Sequence, residues 1–181
     1  MIVYEIPYKH IRHFDFLLTE EYQALYSCLS ELEWELYDRG SYKYKVSSID
    51  YETKCYKDNK AIIEKFISAE FITTLSGLLG VNFSKCKDFT FHKMDIGDFS
   101  LKHTDKNSYG EIARVVYYLS EPNSYAGGDL VLYDVGGETI YENLRMPTNS
   151  FLSFRLTDDF YHQVETVSKG IRYCISISYG E

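Results

Sequence analysis

The chain has 181 residues, of which 45% are hydrophobic and 17% aromatic, and its formal net charge is −8. This length and composition suffice for one buried core and exclude global disorder, so we expect residues 1–181 to form a single globular domain. The acidic excess repels phosphate groups, which argues against nucleic acid and anionic membranes as partners.

The first part of the chain predicts helices. Apolar residues recur at helical spacing over residues 19–37, with Thr19 as the candidate N-cap. A second helix is expected over residues 58–79, ending at Gly80. Residues 42–51 between them are predicted to be extended.

The sequence pattern changes near residue 89. Short runs rich in β-branched and aromatic residues alternate with glycine, asparagine and proline, and they predict strands at 89–94, 115–119, 130–133, 151–154 and 173–179. Short, closely spaced strands are typical of jelly rolls. Helices followed by strands predict an α+β domain, with residues 1–88 as a helical bracing region containing early strands and residues 89–181 as a β-barrel core.

The four cysteines are scattered without CxxC spacing, and we expect free thiols because a chain of this length folds without disulfides. No apolar run reaches the length of a membrane helix, and residues 1–8 lack the pattern of a secretory signal. A cytoplasmic protein is therefore predicted.

The segment Leu-Lys-His-Thr-Asp at residues 101–105 carries the strongest chemical signal. Residues two apart on a strand point to the same side, so His103 and Asp105 would present an imidazole and a carboxylate to one point. His162 comes later, just before another strand-like stretch. Two histidines and one carboxylate form the set that holds non-haem Fe(II) and leaves positions open for oxygen chemistry.

Arg172 follows His162 by ten residues and opens a predicted strand. One face of that strand carries Arg172, Cys174, Ser176 and Ser178, all polar or small. This face could be the solvent side of an edge strand. Alternatively, the small side chains leave room inside a barrel, where the guanidinium group binds a carboxylate through two hydrogen bonds. The second interpretation suits a dicarboxylate cosubstrate.

Together these residues resemble the pattern of Fe(II)- and 2-oxoglutarate-dependent dioxygenases, and most closely their prolyl-hydroxylase-like branch. The resemblance covers about residues 89–179. The segments that carry it are residues 97–105, 114–119, 127–130, 147–149 and 162–167. It implies a double-stranded β-helix, which is a jelly-roll or cupin-like barrel, braced by N-terminal helices.

The resemblance also implies roles for individual residues. His103, Asp105 and His162 would be the catalytic iron ligands. Arg172 would bind the distal carboxylate of 2-oxoglutarate, and Tyr118 would donate a hydrogen bond to the same carboxylate. Tyr118 could equally be a packing residue, since strand tyrosines usually fill cores.

Several features depart from the family pattern or stay open. Met94 or Lys93 stands where relatives often have a tyrosine, and Asn149 replaces a turn glycine but tolerates the left-handed conformation. His92 is expected to be a hydrogen-bonded structural residue. Arg114 could point into the cavity or pair with an acid at its rim.

The Tyr-Lys-Tyr-Lys segment at residues 42–45 could line the mouth of a substrate site with its two lysines. It could instead be a solvated strand face, and this is the interpretation we favour, because charged strand residues are usually exposed.

The implied activity is hydroxylation of an unactivated C–H bond in an amino acid, a peptidyl residue such as proline, or a small natural-product precursor. Fe(II), 2-oxoglutarate and O2 would be required, with ascorbate as a stimulant, and succinate and CO2 would be released. The alternative is a non-enzymatic cupin-like barrel that binds a metal or ligand. Such a barrel does not need an open set of three metal ligands together with a cation that binds the cosubstrate.

Overall fold

The computed structural model describes residues 1–106 and 109–181. Its helices are α1 (Thr19–Ser27), α2 (Lys54–Ile67) and α3 (Ala69–Leu79), with a short 3-10 helix (Cys28–Glu31) after α1. The strands are β1 (Ile2–Tyr4), β2 (His10–His13), β3 (Glu35–Asp38), β4 (Tyr42–Ser48), β5 (Lys85–Met94), β6 (Phe99–His103), β7 (Glu111–Tyr118), β8 (Leu130–Tyr133), β9 (Ile140–Leu144), β10 (Ser150–Arg155), β11 (His162–Val164) and β12 (Arg172–Gly180).

The strands form one curled antiparallel sheet in the order β1-β2-β10-β7-β12-β5-β4-β6-β11-β8-β9, with β3 paired to β4. Strand β4 pairs with β5 through residues 45–48 and with β6 through Tyr42 and Lys43. It therefore joins a larger sheet, from β1 to β5 in this order, to a smaller sheet of β6, β11, β8 and β9. This arrangement confirms the predicted α+β class and the jelly-roll fold.

The helices pack on the larger sheet and bury its outer face. Phe66 of α2 and Leu75 of α3 share one apolar cluster with Ile175, Ile177 and Tyr179 of β12. The alternation along β12 thus separates a helix-facing side from the opposite side, which carries Arg172 and the small residues. Those residues are buried as well, which excludes the alternative that this side faces solvent.

A second apolar cluster lies between the two sheets. It includes Leu132 of β8, Leu152 and Phe154 of β10, and Phe160 from the loop before β11. The Phe154 and Phe160 rings are stacked with centroids 4.3 Å apart, and each also contacts the imidazole of His162. This cluster therefore forms a packed apolar surface inside the barrel, next to His162.

The first helix is shorter than predicted. It ends at Ser27, and Leu36 of the predicted apolar stripe lies in β3, opposite Lys45 of β4. The spacing of the stripe fits a helix, but pairing with β4 satisfies the backbone of β3 and overrides the local pattern. Thr19 is not the N-cap. Leu18 has that position, and its amide donates to Oε2 of Glu21 at 3.1 Å.

The second predicted helix is two helices. Extended backbone at Ser68 (ψ 147°) separates α2 from α3, and the Ser68 hydroxyl caps α3 by accepting from the amide of Phe71 at 3.2 Å. The first of the two begins earlier than predicted, after Thr53, whose hydroxyl accepts from the amide of Tyr56. The predicted end at Gly80 is confirmed, with a left-handed φ of 70°.

The expectation of four free thiols is wrong for one pair. Cys28 and Cys55 are joined by a disulfide with their Cα atoms 5.3 Å apart, and this bond ties the turn after α1 to the first turn of α2. Cys86 and Cys174 are free. Across the described residues, none of the helices has the length and apolar character needed to cross a membrane.

Candidate metal and cosubstrate site

A cavity of about 370 Å³ opens between the two sheets. Strands β5, β7 and β12 form one wall, and β6 and β11 form the facing wall. The cavity contains every residue that the sequence singled out as a ligand or cosubstrate contact: His103, Asp105, Tyr118, His162 and Arg172.

Three candidate ligands converge on the wall of the smaller sheet. His103 is the last residue of β6, His162 is the first residue of β11, and Asp105 follows the end of β6. Nε2 of His103 lies 3.2 Å from one Asp105 carboxylate oxygen, and Nε2 of His162 lies 3.5 Å from the other. One ligand atom from each residue lies within 4.8 Å of the others. This is the only such group of three potential ligands in the part of the chain that the structure describes.

Backbone contacts orient both imidazoles. Nδ1 of His103 lies 2.7 Å from the carbonyl oxygen of Leu101, and Nδ1 of His162 lies 3.2 Å from that of Phe160. A carbonyl oxygen can only accept, so Nδ1 donates to the backbone in both rings, and Nε2 is the nitrogen that faces Asp105. Burial lowers the pKa of His162 to about 4, which leaves this ring neutral at pH 7 and able to ligate a metal.

Asp105 is held as a carboxylate. Burial opposes its ionisation, but the Arg114 guanidinium at 2.8 Å, followed by the two histidines, outweighs burial and holds the pKa of Asp105 well below its usual range. Arg114 also donates to Glu111 at 3.1 Å and to the Ser178 hydroxyl at 3.3 Å. Both interpretations of Arg114 therefore apply, since it lines the cavity and pairs with acids.

These donors fit iron. Two imidazole nitrogens and one carboxylate oxygen within 4.8 Å of one another match the mixed nitrogen and oxygen set that Fe(II) takes in non-haem oxygenases. The backbone carbonyls and Arg114 supply the outer hydrogen bonds that fix the ligands in place.

Arg172 is a buried cation without a carboxylate partner among the described residues. Its hydrogen bonds go to sulfur atoms, with one terminal nitrogen 3.4 Å from Sδ of Met94 and 3.4 Å from Sγ of Cys174. Its Nε is buried and makes no hydrogen bond. A buried, uncompensated charge is costly, so this arrangement favours an anionic ligand in the cavity.

Tyr118 lies against this cation. The guanidinium carbon of Arg172 is 5.3 Å from the centre of the Tyr118 ring, and the buried Tyr118 hydroxyl has no hydrogen-bond partner among the described residues. Burial raises the pKa of Tyr118, so its hydroxyl stays a donor at any ordinary pH. The ring packs in the second apolar cluster, while the unpaired hydroxyl suits a cosubstrate contact.

Met94 takes the place of the missing tyrosine. It lies opposite Arg172 in the β5–β12 pairing and lines the cavity. Lys93 belongs to the other face of β5, where it pairs with Asp95 at 3.5 Å. The departure from the family pattern therefore puts a thioether, not a hydroxyl, beside the guanidinium.

The lysines and tyrosines of β4 separate onto two faces. Tyr42 and Tyr44 line the cavity. Lys43 and Lys45 do not, and they form ion pairs with Asp98 at 3.7 Å and Asp95 at 2.5 Å. Aromatic side chains and not cations therefore line the mouth on this side.

Sequence reasoning missed His92 as a cavity residue. The prediction of a hydrogen-bonded structural histidine is wrong, because His92 lines the cavity and makes no hydrogen bond to any described residue. Its ring is stacked on Tyr44 with centroids 4.8 Å apart. The available signal was the position of His92 two residues before Met94, on the same face of one strand.

Comparison with known proteins adds a family and a set of folds. The family model described as the 2OG-Fe(II) oxygenase superfamily matches residues 89–179. No curated protein sequence matches the chain.

Solved structures with this fold come from distant relatives. An oxidoreductase of the 2OG-Fe(II) oxygenase family from Burkholderia pseudomallei superposes with a TM-score of 0.73 at 14% identity, covering 94% of this chain and 85% of that one. A prolyl-4-hydroxylase from Pseudomonas putida gives 0.70 at 14% identity, with 95% and 92% covered. A Trichoplax adhaerens prolyl hydroxylase in complex with a hypoxia-inducible-factor peptide gives 0.70 at 16% identity, with 94% and 83% covered. At sequence identities this low, the structural similarity establishes the fold alone.

Proposed function

Because the chain belongs to the 2OG-Fe(II) oxygenase superfamily, we propose that His103, Asp105 and His162 hold its iron and that Arg172 and Tyr118 bind the distal carboxylate of 2-oxoglutarate. The protein is a 2-oxoglutarate-dependent dioxygenase, and its family requires Fe(II), 2-oxoglutarate and O2. The non-enzymatic binding barrel is thereby disfavoured.

One observation carries the assignment of residues. Three ligand atoms within 4.8 Å of one another lie on the wall of the same cavity that buries the unpaired Arg172. A barrel that only binds a metal needs the three ligands but has no need of the buried, unpaired Arg172. That residue has no structural use in the described chain, because burying an unpaired guanidinium destabilises the fold unless an anion compensates it.

Bound iron and 2-oxoglutarate supply the oxidising chemistry, in which O2 is consumed, succinate and CO2 are released and a C–H bond is oxidised. The protein contributes binding and orientation. Arg172 fixes one end of the dicarboxylate, and Tyr118 donates to the same end. Val116, Leu130 and Phe154 line the cavity with apolar groups and limit the access of water to the reacting centre.

The proposed reaction is hydroxylation of an amino acid, a peptidyl residue such as proline, or a small natural-product precursor. Support comes from the size of the cavity and from the peptide-bound prolyl hydroxylase among the proteins of similar fold. We treat residues 1–181 as one catalytic domain, in which residues 1–88 brace the barrel of residues 89–181.

Two measurements test this function. Anaerobic titration with Fe(II) should give one bound ion per chain, and 2-oxoglutarate should then bind to the metal-loaded protein. With O2 and ascorbate present, the wild-type protein should release succinate from 2-oxoglutarate. A protein that binds Fe(II) but neither binds nor consumes 2-oxoglutarate would refute the proposal.

A further inference from the structure

Two polar side chains of the cavity have no role in the proposed iron and cosubstrate sites. His92 on β5 and Ser176 on β12 both line the cavity, and neither makes a hydrogen bond within the described part of the chain. Ser176 is only 7% exposed. Both side chains face the cavity and lack a protein partner, so a molecule bound in the cavity is the group that could pair with them.

His92 and Ser176 are neighbours on one wall. In the β5–β12 pairing, His92 lies opposite Cys174, and Ser176 is the next residue of β12 on the same face. They are therefore diagonal neighbours, close enough for one small group to reach both. Arg172 lies two residues before Cys174, so the pair is adjacent to the proposed cosubstrate contacts but separate from them.

The charges around this pair favour an anion. Burial, followed by the guanidinium groups of Arg114 and Arg172, lowers the pKa of His92 to about 3, although Asp105 acts in the opposite direction. The two guanidinium groups act on His92 more strongly than the Asp105 carboxylate does. The neutral imidazole keeps one N–H to donate, and the Ser176 hydroxyl offers a second donor.

An aromatic wall adjoins the pair. Tyr44 is stacked on His92, and Tyr37 is stacked on Tyr44 with centroids 5.3 Å apart, which fixes the plane of the imidazole. Tyr42 contacts the His103 ring edge-on at 4.8 Å. Tyr44 therefore lies between Tyr37 and His92, and the cavity on this side is bounded by aromatic edges, which suit an apolar or cyclic group.

We propose that His92 and Ser176 bind a carboxylate of the primary substrate while Tyr44 packs against its hydrocarbon part. The inference rests on the proposed function and narrows it. The substrate is a small carboxylic acid, such as a free amino acid, and not an internal residue of a peptide, whose backbone carries no carboxylate at that position.

A binding experiment with matched probes tests this inference. The full chain is loaded with Mn(II) in place of iron and saturated with 2-oxoglutarate, so that Arg172 is occupied and no turnover occurs. Cyclopentanecarboxylate and cyclopentanecarboxamide are then titrated at millimolar concentration, because they have the same ring and differ in the charge of the polar group. The carboxylate is expected to bind more tightly than the amide.

The variants are His92→Phe, which keeps a ring against Tyr44, and Ser176→Ala. Loss of one hydrogen bond to a charged group should weaken carboxylate binding by about tenfold in each variant and leave 2-oxoglutarate affinity unchanged. Ser153→Ala is the control, because it removes a serine hydroxyl from a buried strand position that does not line this cavity. It should bind the carboxylate as the wild type does.

Equal affinity for the two probes, no binding of the carboxylate to the wild type, or unchanged binding in both variants would each overturn this inference alone. Failure of 2-oxoglutarate to bind in the loading step would overturn the proposed function and this inference with it. The two failures are therefore distinguishable in the same experiment.

Discussion

His103 and His162 lie directly opposite each other across the antiparallel pair of β6 and β11, with their ring centroids 4.3 Å apart. The register of two strands sets this separation, and a change of one residue would turn one ring out of the cavity. A register shift follows immediately between His162 and Val164. The irregularity therefore lies between the histidine pair and the next pair of this ladder, Val164 with Ser100.

The histidine pair leads to a prediction about metal affinity. His162→Ala should lower Fe(II) affinity by about a hundredfold or more, because it removes one of only three protein ligands. His92→Phe is the matched control, since it replaces a cavity histidine outside the ligand group and should retain one ion per chain. Anaerobic titration of both variants measures the difference. Stoichiometric binding of wild-type strength in His162→Ala would refute the ligand assignment.

A second prediction concerns the buried cation. Arg172→Met should weaken 2-oxoglutarate binding by about 2 kcal/mol or more, since the carboxylate loses a charge-assisted partner. The same change should raise the thermal stability of the ligand-free protein, because an apolar side chain replaces an unpaired buried charge. Calorimetry measures the loss of 2-oxoglutarate affinity, and a thermal melting curve measures the gain in stability. Iron should still bind to this variant. If Arg172→Met binds 2-oxoglutarate with wild-type affinity, another cation binds its distal carboxylate, and Arg114 is the next candidate.

Much of this site could be predicted from the sequence because its residues follow strand periodicity. His103 and Asp105 are two apart, and the alternation along β12 identified Arg172 with its small neighbours. The strands rich in β-branched residues were also predictable, and β8 has the predicted bounds. In these elements the sequence pattern and the observed strand pairing agree, so the local sequence is sufficient to predict them.

Other elements depend on contacts that are remote in the chain. Strands β6, β9 and β11 are three to five residues long, and pairing with neighbours defines them more than propensity does. Leu36 fits a helical stripe but pairs with β4. His92 faces the cavity from the same side of β5 as Met94, but its stacking on Tyr44 of β4 is a contact that no local spacing encodes.

A third prediction uses a glycine behind the cosubstrate cation. Gly128 has a φ of +68°, and a Cβ there would lie 3.0 Å from Cδ of Arg172 and 3.1 Å from Cγ2 of Val167. Gly128→Ala should displace the Arg172 stem and weaken 2-oxoglutarate binding by about tenfold. Gly40→Ala is the control, since Gly40 has a similar positive φ of +76° but an added Cβ would meet no atom within 4 Å. Equal affinity in the two variants would show that the Arg172 stem tolerates displacement.

A fourth prediction concerns the link between the N-terminal region and the barrel. Asn149 has a φ of +56°, and its side chain accepts from the Leu17 amide and the Tyr117 hydroxyl and donates to the Leu17 carbonyl. Asn149→Ala should cost about 2–4 kcal/mol of unfolding free energy, from lost hydrogen bonds and left-handed backbone strain.

Asn149→Gly loses the same hydrogen bonds but adopts positive φ freely, so it should cost about 1 kcal/mol less than the alanine variant. Urea unfolding of the two variants and the wild type separates the contributions. Equal stability of the two variants would mean that backbone strain contributes little at this turn.

The last prediction concerns the pH dependence of stability. Burial and two guanidinium groups lower the pKa of His92 to about 3 in the folded protein, whereas a histidine in the unfolded chain titrates near 6.5. Between these values the unfolded chain binds a proton at His92 that the folded chain does not. The free energy of unfolding of the metal-free protein should therefore fall as pH drops from about 6.5 to 5, before carboxylates titrate.

In His92→Phe this proton is absent from both states, so the slope should be smaller by about 1.4 kcal/mol per pH unit. His10, His13 and His162, whose pKa values are also lowered mainly by burial, contribute equally to both proteins. Urea unfolding at several pH values measures the two slopes, and equal slopes would mean that His92 becomes protonated in the folded protein as readily as in the unfolded chain.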